Sequence, residues 1–198
     1  SHIGGRAGRS CDHALHLLLE RVYEAWRQDD RVASLLTLDV SGAFDNVSHK
    51  RLIHCLRMRR IPLDIVQWVA SFLSDRHTTL LLQEGDMGRG PVATGIPQGS
   101  PLSPILYLFY NADLIDTIHA TAPGRVLVTG YIDDICILVW SLSAAENCRL
   151  LTRLHQKAEV WARRHASIFA PAKYGLMHMW KKGVGARNQT HRPTFRLC

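Results

Sequence analysis

The sequence predicts an α+β domain, a mainly antiparallel sheet with helices packed on one face. Three observations lead there. Short apolar runs at 32–40, 126–131, 135–140 and 174–180 alternate with longer stretches of helical periodicity. Only Ile132, Asp133 and Asp134 separate the second run from the third, so these two pair as a tight hairpin. Few of the other connections read as regular βαβ crossovers, which argues against a parallel sheet.

Taken in order, residues 1–9 are rich in Gly and Arg and read as a loop. Leu15, Leu18, Leu19, Val22 and Trp26 recur at helical spacing and predict a helix over 12–26. The run at 32–40 is a buried strand with Asp39 near its end. Ser48 can cap a helix reaching Met58, and Pro62 can open another reaching Phe72. Residues 78–83 and 90–94 bracket Glu84-Gly85-Asp86 as a hairpin. A helix starts at Ser103-Pro104 and runs to about Ile118. Ser143 and Glu146 have capping-box spacing ahead of a helix with Leu150, Leu151, Leu154, Ala158 and Trp161 on one face. Residues 174–180 make the last strand.

A chain of 198 residues suits one domain, or one domain with fragments of its neighbours. The apolar share of 46% is enough for a buried core. A formal net charge of +7 implies a polyanionic partner, either nucleic acid or an acidic membrane. Cys11, Cys55, Cys136, Cys148 and Cys198 are scattered with no C-x-x-C pair, so neither a zinc site nor a disulfide framework is expected, and a reducing compartment fits. The eleven histidines show no H-E-x-x-H spacing and read as surface or packing residues. No apolar run has the length of a membrane span and no signal peptide opens the chain. A first residue of Ser rather than Met reads as a fragment or a processed chain.

The carboxylates carry the chemistry. Asp39 lies at the end of an apolar strand, and Asp133-Asp134 at the tip of an apolar hairpin. Two unit charges 4 Å apart repel by roughly 4 kcal/mol at an effective dielectric of 20, and desolvation adds to that. A hard divalent cation, Mg²⁺ or Mn²⁺, offsets such crowding. Two of them about 3.5–4 Å apart can clamp the oxygens of a phosphoryl transfer. An Asp-Asp pair alone also reads as an ordinary turn. The flanks Gly130-Tyr131 and Ile135-Cys-Ile-Leu-Val-Trp140 are more apolar than a solvated turn needs.

At these residues the chain resembles the reverse transcriptases of non-LTR (LINE-type) retrotransposons, in flavour closest to those of fungal genomes. Leu38-Asp39-Val40-Ser41-Gly42-Ala43-Phe44-Asp45-Asn46-Val47 resembles their first catalytic motif, and Gly95-Ile96-Pro97-Gln98-Gly99-Ser100-Pro101-Leu102-Ser103-Pro104 their nucleotide- and template-gripping motif. Tyr131-Ile132-Asp133-Asp134 resembles their Y-x-D-D box, with Ile132 where Ala is usual. Phe169-Ala-Pro-Ala-Lys173 resembles the lysine motif, and Gly5-Arg6-Ala7-Gly8-Arg9-Ser10 the upstream G-R-S segment. The likeness extends from about Gly5 to Met179, in the family's order.

The resemblance implies a right-hand polymerase palm with partial fingers over 1–180, incomplete at its N-terminus, and a basic tail over 181–198 leading toward a missing thumb. It implies an RNA-directed DNA polymerase that uses two Mg²⁺ ions, with Mn²⁺ able to substitute. Its partners would be an RNA template, a DNA primer and dNTP, with no membrane and no identifiable protein partner. A nuclear location follows from copying into a genome. Asp39, Asp133 and Asp134 with the Val40 carbonyl would hold the metals. Phe44 would exclude a ribose 2′-hydroxyl, or else be a plain core aromatic. Gln98 and Gly99 would contact template and nascent pair, or form an ordinary turn. Lys173 would act on the leaving pyrophosphate, or be a solvated surface residue. Tyr131 would pack beside the metals, Pro97 and Ile132 near the nucleic acid, and Arg6 and Arg9 against phosphates.

Further basic clusters are Arg57-Arg59-Arg60, Arg163-Arg164 and the tail with Lys181, Lys182, Arg187, Arg192 and Arg196; they suit phosphates or a solvated surface equally. A competing function is a catalytically incomplete palm fragment or a maturase-like RNA-binding module. A nuclease or cyclase would leave the Pro97-Gln98-Gly99-Ser100 segment without a job.

Overall fold

The structure, a computed structural model, describes residues 3, 8–28, 31–82 and 85–181. Arg6, the turn at Glu84 and the tail beyond Lys181 lie outside the described residues.

Helix α1 (Cys11–Arg27) starts from Ser10. The Ser10 hydroxyl accepts from the His13 amide at 3.4 Å, and the His13 ring Nδ1 accepts from the Ser10 amide at 3.3 Å. Each satisfies an otherwise orphaned N–H of the first turn. A second cap was expected to be reciprocal and is not: Ser143 Oγ accepts from the Glu146 amide at 3.2 Å, but the Glu146 carboxylate pairs with Arg125.

The main sheet has the order β5-β6-β1-β8, from β5 (Val126–Tyr131), β6 (Asp134–Ser141), β1 (Val32–Leu38) and β8 (Gly175–Met179). All its pairings are antiparallel, and β1 is held on both sides, Leu38 opposite Ile135 and Leu36 opposite Leu176. Short β2 (Val40–Ser41) pairs with β7 (Ile168–Phe169), and β3 (His77–Leu82) with β4 (Gly85–Pro91). Between them run α2 (His49–Met58), α3 (Leu63–Leu73), α4 (Leu102–Thr121), α5 (Ala144–Arg164) and a 3₁₀ turn, Pro171–Lys173.

Strand alternation divides the core. Leu36, Leu38, Ile135, Ile137 and Val139 face one way, into a cluster with Leu106, Leu114 and Leu151 of α4 and α5. Ala33, Leu138 and Trp140 face the other way, against Val22 and Ala25 of α1. Helices therefore cover both faces, with α4 and α5 on one as expected and α1 on the second. Its periodic pattern was broader than its contact, since Leu15 and Leu19 remain exposed at 54% and 39%. Trp68 of α3 is 56% exposed and stacks on Phe72.

Buried polar groups join the layers. Asn147 of α5 donates at 2.9 Å to both the Val32 carbonyl and Ser34 Oγ of β1. The Cys55 sulfur of α2 lies 3.9 Å from Asp113 Oδ2 of α4 and 3.8 Å from His165 Nε2. His165 Nδ1 donates to the Trp161 carbonyl at 2.9 Å, which leaves Nε2 as an acceptor toward the thiol. Burial, then the Asp113 charge, pushes the Cys55 thiol up to about 11, so the group remains an S–H donor at neutral pH. Arg59 binds Asp113 at 3.1 Å and also Asp116, so this member of the 57–60 basic cluster serves the α2–α4 contact rather than phosphate.

Candidate active site

Asp39 occupies the single-residue break between β1 and β2, where the chain leaves the main sheet. Its backbone carbonyl accepts from the Ala170 amide at 3.0 Å, which seats the 3₁₀ turn beside it. That turn delivers Lys173, whose Nζ lies 3.2 Å from Asp39 Oδ1 and 3.4 Å from Oδ2. Two segments more than 130 residues apart thus meet at one carboxylate.

The β5–β6 hairpin brings the next carboxylates. Tyr131 pairs with Asp134, leaving Ile132 and Asp133 as the connecting residues. Ile132 adopts φ +60°, the left-handed region where a β-branched residue is an outlier. The Asn111 amide of α4 donates to the Ile132 carbonyl at 3.0 Å. Asp133 lines the cleft that Asp39 and Lys173 also line. Asp134 and Tyr131 instead line the neighbouring groove beneath α1, which includes Leu15 and Cys136. Burial raises the Asp134 pKa, the charges of Asp133 and Asp39 raise it further, and Lys173 opposes them.

The far wall of the cleft comes from two glycine-containing segments. The loop at 42–47 is tied to 95–96 through Gly95 N–H to the Val47 carbonyl and Ile96 N–H to the Phe44 carbonyl, both at 2.8 Å. His49 Nε2 donates to the Gly95 carbonyl at 2.7 Å. Ser103 Oγ donates to the Pro97 carbonyl at 2.6 Å and fixes the start of α4. Gln98 Nε2 donates to Asp45 Oδ1 at 3.0 Å, with both side chains exposed. Phe44 leans on Tyr107, ring centroids 5.4 Å apart. The cleft is open to solvent and measures about 690 Å³.

Of the residues singled out in sequence, Asp39, Val40, Phe44, Gln98, Gly99, Asp133 and Lys173 share this cleft. Ile132 packs on the main core, Pro97 is half-buried and Arg9 is exposed. Sequence reasoning gave no site role to Asp45, His49, Ser103, Tyr107 or Asn111, whose parts are played by contacts without periodicity. Asp45 and Ser103 lie inside the two quoted motifs and were within reach.

The chain matches the reverse transcriptase (RNA-dependent DNA polymerase) family over residues 3–195. It belongs to that family. A probable RNA-directed DNA polymerase from transposon BS of Drosophila melanogaster is 29% identical over 86% of this chain and 19% of its own length. The RNA-directed DNA polymerase from mobile element jockey of Drosophila funebris is 28% identical over 80% of this chain and 17% of its own. A polyprotein of retrotransposable element R2 from Popillia japonica is 23% identical over 62% and 21%. The chain thus spans about a fifth of the length of these relatives. Among solved structures, apo telomerase of Candida tropicalis truncated from its C-terminal domain superposes with a TM-score of 0.70 at 12% identity, over 93% of this chain and 37% of that one. This likeness shows the polymerase palm fold, as the sequence led us to expect. The retrotransposon relatives bear out the family resemblance, and no helix among the described residues is long and apolar enough to cross a membrane.

Proposed function

We propose that this reverse transcriptase domain joins a dNTP to a primer 3′-hydroxyl on an RNA template, as the copying step of retrotransposition in the nucleus. The observation that carries the reading is the convergence of Asp39, Asp133, Lys173 and Phe44 on one cleft walled by 98–101.

The donor set suits divalent cations: Asp39 and Asp133 line one cleft, and Asp134, beside it, is kept from ionising first by burial and then by the charges of Asp133 and Asp39, a crowding that a hard cation relieves. Asp39, Asp133, Asp134 and the Val40 carbonyl would hold Mg²⁺, or Mn²⁺ in its place. Bound there, the ions would supply activation of the primer hydroxyl and neutralisation of the charge developing on pyrophosphate. The remaining work falls to the chain. Lys173 carries an exposed positive charge at the cleft edge and would pass from Asp39 to the leaving phosphates, where a proton or a charge is needed. Phe44, braced by Tyr107, presents a rigid apolar edge on which a 2′-hydroxyl would lose its water without gaining a partner. Gly99 opens the wall to a base pair, and Gln98 can exchange Asp45 for a template group.

Residues 1–180 form the palm with part of the fingers in this reading, and 181–198 a basic tail leading toward a thumb. Arg9, Pro97, Ile132 and Arg6 would lie along the nucleic acid, with Tyr131 beside the metals. The test is primer extension on poly(rA)/oligo(dT) with Mg²⁺ or Mn²⁺. Incorporation of dTTP by the chain and none by Asp133→Ala supports the proposal; equal incorporation by both removes it.

A further inference from the structure

We propose that Asn111 is a positioning residue for catalysis: from α4 it holds the left-handed Ile132 peptide so that Asp133 faces the cleft. The inference rests on the polymerase reading above. Asn111 is fully buried in an otherwise apolar stretch of α4, and its Nδ2 donates to the Ile132 carbonyl at 3.0 Å. A carbonyl can be met only by the NH₂ end of the amide, so the side-chain orientation is fixed by this bond. The Asn111 Oδ1 has no partner among the described residues. A buried amide making a single bond is a poor substitute for leucine in a core. The bond it does make therefore has to justify its place.

That bond lies at the most strained point of the hairpin. Ile132 carries φ +60° with a β-branched side chain, in a two-residue connection where glycine is the usual occupant of positive φ. Such a conformation persists only where its surroundings enforce it. The Ile132 carbonyl belongs to the peptide that leads into Asp133. Fixing that peptide plane fixes the direction in which the Asp133 carboxylate leaves the backbone. One helical turn earlier on the same helix, the Tyr107 hydroxyl is fully buried without a partner among the described residues, and it lies in the field of Asp133. The α4 face beneath the hairpin thus holds two polar groups that core packing does not require.

The test is a double-mutant cycle in this chain, with Asn111→Leu, Ile132→Gly and the pair. Amide exchange at 133–134 reports the turn, and primer extension reports kcat and the KM for dTTP. Asn111→Leu is expected to speed exchange at 133–134 at least tenfold while exchange along β1 is unchanged. It should lower kcat at least tenfold, with KM within about twofold. Where Ile132→Gly has already relieved the strained backbone, Asn111→Leu should cost less than threefold in kcat. Unchanged exchange at the turn, or the same kcat loss in both backgrounds, overturns the inference and leaves Asn111 a packing residue. If the parent chain makes no DNA, exchange alone decides the positioning, and the failure belongs to the polymerase reading.

Discussion

Lys173 closes onto both carboxylate oxygens of Asp39, at 3.2 and 3.4 Å, so the strand end proposed as a metal ligand is already neutralised by a residue of the chain itself. A lysine so placed competes with a cation for Asp39. Lys173→Met should therefore tighten Mn²⁺ binding several-fold, read by calorimetry or by the spin signal of free Mn²⁺. The same variant should slow nucleotide incorporation by about 10²-fold, at the lower end of what loss of a general acid costs. Tighter binding with slower chemistry separates this role from a plain surface lysine, whose loss would leave both unchanged.

Asp134 leads to a second test. Its pKa is raised first by burial, then by Asp133 and Asp39. Between its ordinary value and the raised one, the folded state binds more protons than the unfolded state, so stability falls as pH rises through that window. Above it the penalty is complete. Asp134→Asn should therefore raise the metal-free melting temperature at pH 7 and leave it nearly unchanged at pH 3. Mg²⁺ at one fixed, high concentration should raise the melting point of the parent more than that of the variant, because at equal ligand concentration the tighter site stabilises the folded state more, by the logarithm of the affinity ratio. A variant less stable than the parent at pH 7 without metal counts against crowding of these carboxylates.

Much of this could be read directly from sequence. The paired strands around Asp133 announced themselves by apolar runs too long for a solvated turn, and β1 by its run up to Asp39. Helix boundaries fell within a few residues because Ser48 and Ser143 are caps and Pro62 a start signal. Pattern failed where it does not encode distance. The stripe of α1 includes Leu15 and Leu19 as naturally as Val22, yet only Val22 of the three is buried, and Leu15 instead lines an open groove between α1 and the sheet. Glu146 had the spacing for a reciprocal cap, but Arg125 offers it a full charge. Nothing local marked Asn111 as the partner of Ile132, 21 residues away, or Asp45 as that of Gln98, 53 away.

Phe44 is supported by Tyr107, at a centroid distance of 5.4 Å, rather than free at the cleft mouth. A supported ring cannot retreat from a 2′-hydroxyl. Phe44→Val should raise the efficiency of ribonucleotide incorporation relative to deoxyribonucleotide about 10- to 200-fold, the range that one small group in an apolar pocket commands. The comparison is the kcat/KM ratio for UTP against dTTP on the same primer. Equal ratios for parent and variant would place the ring in the core alone.

Two glycines of one motif give the last prediction, because they share a backbone conformation and differ in surroundings. Gly95 has φ +84° and Gly99 φ +85°, so an alanine at either is strained by roughly 1–2 kcal/mol. At Gly95 an added Cβ would meet the Asp45 carbonyl oxygen at 2.7 Å, a backbone atom that cannot move aside without breaking the tie between 42–47 and 95–96. At Gly99 nothing lies within 4 Å of the added carbon. Gly95→Ala should therefore destabilise by about 3 kcal/mol or more, as clash adds to strain. Gly99→Ala should lose only the strain, measured by urea unfolding. If Gly99 is open because a template–primer pair approaches it, Gly99→Ala should cut primer extension far more than its stability loss explains. Activity that follows stability alone at both positions would mean that the motif shapes the fold and does not touch nucleic acid there.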